Sequence, residues 1–80
     1  KIILFKTQNE IPKEYEKRNI KAGKIEVVTF LGVIVRILVK IGESHVIVDI
    51  TEKDFEKTML KMGETVYLYF PPEDFLAFQS

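Results

Sequence analysis

The sequence predicts an all-β fold, a small β-barrel of about five to six strands with one short helix. Several short segments are rich in alternating or β-branched apolar residues, glycine and proline separate them at close intervals, and only one segment has helical spacing. A chain of 80 residues forms one domain with a thin core, because it hides only about 60% of its unfolded surface. A partner chain would therefore stabilise it considerably.

The first 22 residues combine one strand with a polar connection. Residues 2–5 predict a short strand. Residues 7–22 are polar and broken by Pro12, which predicts a linker or long loop with a helical turn after the proline. The next strand is expected only after Gly23.

The middle of the chain predicts two strong strands and a return arm. Residues 24–30 are rich in β-branched residues, and Gly32 is expected to form a bulge or sharp bend after them. Residues 33–39 form the next strand, and a turn at Gly42 leads to a hairpin arm at residues 45–50. The residues expected on the apolar faces of these two strands are Val33, Val35, Ile37, Val39, Val46, Val48 and Ile50.

The one predicted helix follows the hairpin. Thr51 is placed to cap it, and an Asp three residues later gives the spacing of a capping box with Asp in place of Glu. Phe55 and Met59 lie four residues apart and are expected on one apolar face, with Met62 close behind. Gly63 is the expected terminator.

The C-terminal part returns to alternation. Residues 65–70 place Val66, Leu68 and Phe70 on one face and two tyrosines on the other, and Pro71 ends the strand because proline cannot donate to a ladder. Residues 74–78 predict a final short strand. The helix is expected to plug one end of the barrel. A barrel with this arrangement resembles the oligonucleotide/oligosaccharide-binding (OB) folds. Residues 1–6 and 74–79 share one pattern: a polar residue, three mostly apolar residues, Phe and a polar residue. Such a match is expected if residues 1–6 are the closing strand of a preceding repeat unit.

Composition excludes several classes of function. The chain has no cysteine and a single histidine, which excludes disulfides, thiolate chemistry and a zinc site with its usual partners. Acidic and basic residues number 12 each, and this balance argues against general binding to nucleic acid or anionic membranes. No apolar run reaches the roughly 18 residues that span a bilayer, and there is no glycine-rich phosphate loop. We therefore predict a non-enzyme with no catalytic residues and no metal site.

Several other candidate residues have simpler structural explanations. His45 flanks a turn and is expected at the surface rather than as a pH sensor. Glu73 and Asp74 are neighbours that a strand would point to opposite faces, so they would not converge on one substrate. Arg36 can form an ion pair either at an interface or at the surface. Four aromatic residues are expected in the core or a partner interface rather than in a platform for single-stranded nucleic acid: Tyr67, Tyr69, Phe75 and Phe78.

An ordered series of short motifs resembles a known family. The series is Arg18-Asn19, Gly23-Lys24-Ile25, Phe30-Leu31-Gly32, Val35-Arg36-Ile37, Ile50-Thr51, Lys61-Met62-Gly63, Val66-Tyr67 and Phe70-Pro71-Pro72-Glu73-Asp74. In this order and at this spacing the motifs resemble the Mop-like, or TOBE, domain at the C-terminus of ATPase subunits of ABC importers, especially those of the molybdate/tungstate type. The resemblance covers roughly residues 18–78.

The resemblance implies an accessory or regulatory C-terminal domain of an ABC-importer ATP-binding subunit. Residues 1–17 would be the closing strand of a preceding unit plus a linker, and residues 18–80 the TOBE/Mop-like OB barrel. The implied partners are further copies, in a homodimer or higher homo-oligomer, and the ATPase domain of the same transporter, without nucleic acid or direct membrane insertion. The implied location is cytoplasmic, at the membrane through the transporter complex.

The resemblance implies no cofactor, but it implies an oxyanion such as molybdate or tungstate as a ligand. Oxyanion-binding members carry Ser-x-Arg-Asn before the first barrel strand, where this chain has Glu16, and Thr-x-x-Ser before the helix, where it has Asp54. A carboxylate repels an anion by on the order of 1 kcal/mol at close range in water, which counts against a standard molybdate pocket. An anion site could still form from Arg18, Lys21, Lys24 and the free backbone N–H groups at the helix start. The implied oxyanion-binding residues are Arg18, Asn19, Lys21, Lys24 and Thr51.

Two alternatives stay open at this point. One is a free-standing Mop-type molybdate/tungstate-binding protein, which would not need residues 1–17. The other is a single-stranded nucleic-acid-binding OB domain, which the neutral charge disfavours.

Overall fold

The computed structural model describes residues 1–72. They form one antiparallel sheet with the strand order β1-β5-β2-β3-β4, and a short helix lies between β4 and β5. Short 3-10 helices span Gln8–Glu10 and Lys17–Asn19. The strands are β1 (Ile3–Phe5), β2 (Ile20–Leu31), β3 (Ile34–Ile41), β4 (Ser44–Thr51) and β5 (Thr65–Tyr69), and the helix is α1 (Glu52–Thr58).

Two tight turns join β2, β3 and β4 into a meander. Gly32 and Gly42 hold the first positions of these turns with φ of 84° and 58°, and the ladders close directly around them. A positive φ at this position matches the twist of the flanking strands and costs glycine little. The sharp bend at Gly32 is confirmed, whereas the bulge lies earlier in β2, between residues 25 and 27.

The inner face of the sheet carries the hydrophobic core. The predicted alternation is confirmed in β3, β4 and β5, where every second residue is buried or partly buried. Val33 is the exception, because it lies in the turn before β3 and is 77% exposed. Each fully buried aliphatic or aromatic side chain contributes about 1.5–3 kcal/mol. The core consists of Ile25, Val35, Ile37, Val39, Val46, Val48, Leu60, Val66, Leu68 and Phe70.

The sheet curls into a half-barrel along β2. Residues 20–24 of this strand pair with β5, and residues 24–31 pair with β3. Gly23 lies at this change of neighbour, where a Cβ would come within 2.6 Å of Val39 Cγ1 and 2.9 Å of the Lys40 carbonyl oxygen. Glycine is therefore required for the close approach of β3. The predicted all-β, OB-like class with one helix is confirmed, and within residues 1–72 no ladder joins β1 to β4.

The helix begins as predicted but ends earlier. Thr51 Oγ1 accepts a hydrogen bond from the Asp54 N–H at 3.1 Å, which is the predicted N-terminal cap. The helix stops at Thr58 because Met59 already adopts the left-handed conformation, with φ of 52°. The prediction that Gly63 terminates the helix is wrong.

The early end of α1 changes which side chains enter the core. Leu60 follows the left-handed residue and is only 3% exposed. Met59 and Met62, predicted on the apolar face of the helix, are 58% and 69% exposed. The core is therefore completed by a loop residue and not by the methionines.

The polar connection between β1 and β2 is ordered, and β2 starts before the predicted position. It begins at Ile20, because residues 20–22 pair with β5. A hydrogen bond of 3.1 Å from Tyr15 N to Pro12 O forms the turn expected after the proline. The strand at residues 3–5, which the resemblance assigns to a preceding unit, pairs here with β5. The predicted strand at residues 74–78 lies outside the described residues.

Candidate functional site

The outer face of the sheet has two halves, and residues 1–72 cover only one of them. The first, named the covered half, consists of the outward residues of β1, β5 and the start of β2. Residues 8–17 of the linker lie over it. Its outward residues are Ile3, Phe5, Ile20, Ala22, Tyr67 and Tyr69.

Tyr15 fastens the linker to the covered half. Its ring centroid lies 4.2 Å from that of Tyr69 and 6.0 Å from that of Phe5, the latter edge to face. Such aromatic pairs contribute about 0.5–1.5 kcal/mol beyond the area that they bury. The ring of Tyr69 is therefore engaged within the chain, which removes one member of the nucleic-acid platform considered above. Phe75 and Phe78 lie outside the described residues.

The second half, named the bare half, has no such cover from residues 1–72. Leu38 in β3 pairs with Val27 on one side and with Ile47 on the other, so an apolar row crosses three strands. Val27 is 44% exposed and Ile47 is 58% exposed. Leu31 and Ile34 pair beside the β2–β3 turn and extend the apolar surface. These five residues define the bare half.

A bidentate ion pair lies between the two apolar groups of the bare half. Arg36 Nε and Nη2 donate to Asp49 Oδ1 and Oδ2 at 2.9 Å and 3.0 Å, directly across the β3–β4 ladder. Hydrogen bonds from the guanidinium hold the pKa of the Asp49 carboxyl below its ordinary value, and the same bonds raise the pKa of Arg36. Both side chains are about half exposed, so water screens the pair and it stabilises the fold only slightly.

Arg18 and Asn19, the first two predicted anion-binding residues, lie in the 3-10 helix before β2. The Arg18 side chain is 79% exposed, and its Nη2 lies 3.5 Å from Glu16 Oε1. The carboxylate that stands where the resemblance implies a hydroxyl is thus beside the arginine. Asn19 is only 6% exposed, and its backbone carbonyl accepts a hydrogen bond from Phe70 N at 2.8 Å. No residue between 1 and 72 bonds its side-chain amide.

The other three predicted anion-binding residues do not converge with them in one chain. Lys21 and Lys24 lie an odd number of positions apart in β2, so they project from opposite faces of the sheet. Thr51 pairs with Ile34 near the last residue of β2, whereas Asn19 precedes its first. A single site could therefore combine all five residues only across two copies.

The start of α1 offers fewer free donors than predicted. The Glu52 N–H donates to the Val33 carbonyl oxygen at 2.9 Å, and the Asp54 N–H donates to Thr51 Oγ1. The prediction of free N–H groups at the helix start is wrong for these two groups.

His45 lies at the surface, as predicted. Its Nε2 is 3.1 Å from Glu26 Oε1, and both side chains are about half exposed. The part of the chain that the structure describes holds no cluster of three or more metal-ligating side chains. None of its helices is long and apolar enough to cross a membrane.

Sequence reasoning missed two residues that hold the linker and β1 in place. One is Tyr15, an aromatic residue in a polar segment, whose isolation was the available signal. The other is Lys6, whose Nζ donates to the Thr58 carbonyl oxygen at 2.6 Å and lies 3.8 Å from Glu64 Oε2. Since these partners are more than 50 residues away, no local pattern indicates them.

Comparison with family models identifies one family. The family model described as the TOBE domain matches residues 10–78. No curated protein matches the sequence. Among solved structures, the chain is similar to the cytoplasmic molybdate-binding protein ModG in a molybdate-bound crystal form, with a TM-score of 0.71 and 14% identity. The match covers 85% of this chain and 48% of ModG, so this chain spans about half the length of that protein.

Proposed function

The chain belongs to the TOBE domain family, and from that premise we propose that it is an accessory, non-catalytic C-terminal domain of an ABC-importer ATP-binding subunit. In this role it acts on the cytoplasmic side of the membrane, held there by the transporter. It associates with a second copy and so helps to hold two ATP-binding subunits together. The observation that carries the proposal is the bare half, an exposed apolar surface on a family-typical barrel.

The bare half has the composition of an interface centre. An apolar row flanked by a fixed ion pair is more typical of a protein contact than of a solvated sheet face, where polar residues alternate outward. Arg36 and Asp49 present one positive and one negative group side by side. A twofold partner would present the same two groups in reverse order, which makes this surface self-complementary.

Sedimentation velocity over a range of protein concentrations tests this proposal. The native chain is expected to shift from monomer to dimer, and Ile47→Lys is expected to stay monomeric because it places a charge in the centre of the interface. Met62→Lys is the matched control, since Met62 is even more exposed and lies outside the bare half. A strict monomer at high concentration, or equal loss of association in both variants, would contradict the proposal.

The parent protein is tested separately from self-association. The gene region upstream of Lys1 is expected to encode a phosphate-binding loop in the same reading frame. An unrelated upstream sequence would instead favour the free-standing Mop-type protein.

Oxyanion binding is the second function proposed, on a specific observation. The side-chain amide of the buried residue Asn19 lacks a partner within residues 1–72. Buried polar groups of this kind in a folded protein are usually bonded by a ligand, water or another residue. Arg18 beside it supplies an exposed positive charge. The likeness to ModG, which binds molybdate, gives the ligand class.

Isothermal titration with molybdate and tungstate tests the oxyanion proposal. Arg18→Ala is expected to abolish binding, whereas Lys53→Ala, on the distant helix, is expected to leave it unchanged. Glu16→Ser is expected to tighten binding because it removes the carboxylate next to Arg18 and restores the family's hydroxyl. The absence of heat with both anions, in the native chain and in Glu16→Ser, would end this proposal.

A further inference from the structure

A cleft lies between the linker and the covered half. It is partly open to solvent and has a volume of about 490 Å³, within the range of small-molecule sites. One wall is the linker, and the floor is the outer face of β2 and β5. The residues that line it are Gln8, Ile11, Pro12, Lys13, Tyr15, Lys17, Ile20, Ala22 and Tyr67.

The polar groups of the cleft are uncommitted. Within residues 1–72, the side chains of Gln8, Lys13 and Lys17 make no hydrogen bond or ion pair, and neither does the hydroxyl of Tyr67. By contrast, the basic side chains of Lys6, Arg18 and Arg36 each have a carboxylate or carbonyl partner within residues 1–72. None of the lining residues is acidic. The lining side chains therefore carry a net positive charge.

The apolar part of the cleft is aromatic and held in place. Tyr15 is fixed by its ring contacts with Tyr69 and Phe5. Ala22 is the smallest side chain on the floor, and it leaves open the space next to Tyr67, which lies directly opposite it in the ladder. A planar group could stack against these rings, while an anionic substituent is placed between the lysines.

We propose that this cleft binds a small anion that carries a flat aromatic ring. The ring would contact Tyr15 and Tyr67, and a carboxylate or phosphate group would accept hydrogen bonds from Lys13, Lys17 and Gln8. The site lies on the opposite end of the sheet from the bare half, and the inference does not rest on self-association or on oxyanion binding at Arg18.

NMR titration of the ¹⁵N-labelled chain tests the inference with three probes: 4-hydroxybenzoate, adenosine monophosphate and inorganic phosphate. One or both ring-bearing anions are expected to shift the amide resonances of residues 13–17, Ala22 and Tyr67 in a saturable manner. The tighter-binding probe shows whether the cleft prefers a carboxylate or a phosphate group. Inorganic phosphate is expected to bind at least about tenfold more weakly, because it makes no ring contact. Equal binding of phosphate, or shifts elsewhere in the chain, would overturn the proposal.

Two variants assign the binding to the cleft. The double variant Lys13→Glu/Lys17→Glu is expected to weaken binding of the tighter probe at least about tenfold. The control double variant Lys53→Glu/Lys61→Glu changes the net charge equally and is expected to leave binding unchanged. Ala22→Phe fills the floor without altering charge and is expected to abolish binding while the remaining amide spectrum stays native. Equal weakening by both charge variants would show non-specific attraction and overturn the assignment, and so would full binding by Ala22→Phe.

Discussion

The covered and bare halves are two parts of one sheet face, yet they meet solvent differently. On the covered half, Tyr15 and the linker shield the outward aromatic residues of β1 and β5. On the bare half, Val27 and Ile47 are 44% and 58% exposed, and no segment within residues 1–72 covers them. Both halves carry outward apolar residues, so the difference lies in the cover and not in the strands. An apolar sheet face is stable when another segment or chain packs on it, and residues 1–72 supply such a segment only for the covered half.

The largest effect on stability is expected at Gly23, where β2 changes its neighbour from β5 to β3 and so connects the two halves. Gly23→Val would push a branched side chain into Val39 and against the Lys40 carbonyl oxygen, because a Cβ alone already comes within 2.6 Å and 2.9 Å of them. We expect a loss of about 3 kcal/mol in the free energy of unfolding, measured by urea denaturation. Ala22→Val, one residue earlier on the outer face of the sheet, is the control and should change stability by less than about 1 kcal/mol. Equal effects of the two substitutions would mean that the close approach at Gly23 does not constrain the sheet.

A smaller effect is expected from removing the cover. Tyr15→Ala should lower the free energy of unfolding by about 2 kcal/mol, because it removes two aromatic contacts and the apolar area beneath the ring. Ile47→Ala on the bare half should cost less than about 1 kcal/mol in dilute protein, since that side chain is already 58% exposed. Equal urea midpoints for the two variants would contradict the claim that only the covered half is stabilised by contacts within one chain.

The bare half should respond to protein concentration, and the covered half should not. If copies associate through the bare half, the thermal midpoint of the native chain rises with concentration by mass action. Well above the dissociation constant, each tenfold rise in protein concentration adds about 0.7 kcal/mol of apparent stability per chain, because one dimer dissociates into two chains. Ile47→Lys should remove this dependence, and Tyr15→Ala should keep it. Calorimetry at several concentrations provides the measurement. A midpoint that is independent of concentration in the native chain would refute the prediction.

The smallest effect is expected at the Arg36–Asp49 pair. The pKa of Asp49 is lowered in the folded chain, so the pair contributes stability above the ordinary carboxyl pKa of 3.8 and loses it as the pH falls through the lowered value. Asp49→Asn should therefore differ slightly from the native chain at pH 7 and converge with it in strong acid. Urea midpoints between about pH 2 and pH 7 test this sign. A difference that grows on acidification would contradict it.

The sequence predicted those parts of the fold that depend on local pattern. The alternation in residues 33–50 specified β3, β4 and their buried face, and the Thr51 cap specified the start of α1. It did not specify where α1 ends, because burial of Leu60 overrides the preference of a methionine against the left-handed conformation. The start of β2 was also missed, since residues 20–22 become a strand only by pairing with β5.

The candidate surfaces were less predictable than the fold. The alternation of side chains along a strand shows that Val27 and Ile47 point away from the core. Only the pairing of the strands in the sheet shows that both flank Leu38. The anion-binding residues implied by resemblance lie at both ends of β2, a separation that linear spacing does not reveal. The cleft depends on the linker folding back through Tyr15, which is a long-range contact.

The hydrogen bond from Lys6 to Thr58 has a consequence for how the chain folds. Its partners are 52 positions apart, whereas the two glycine turns join strands that are adjacent in the chain. Because closing long loops costs more entropy than closing short ones, we expect the β2–β3–β4 meander to form before the transition state and the N-terminal strand to dock after it. Kinetic φ-values near one for the meander and near zero for Lys6→Met would follow, and truncations at the N-terminus would then speed unfolding without slowing folding.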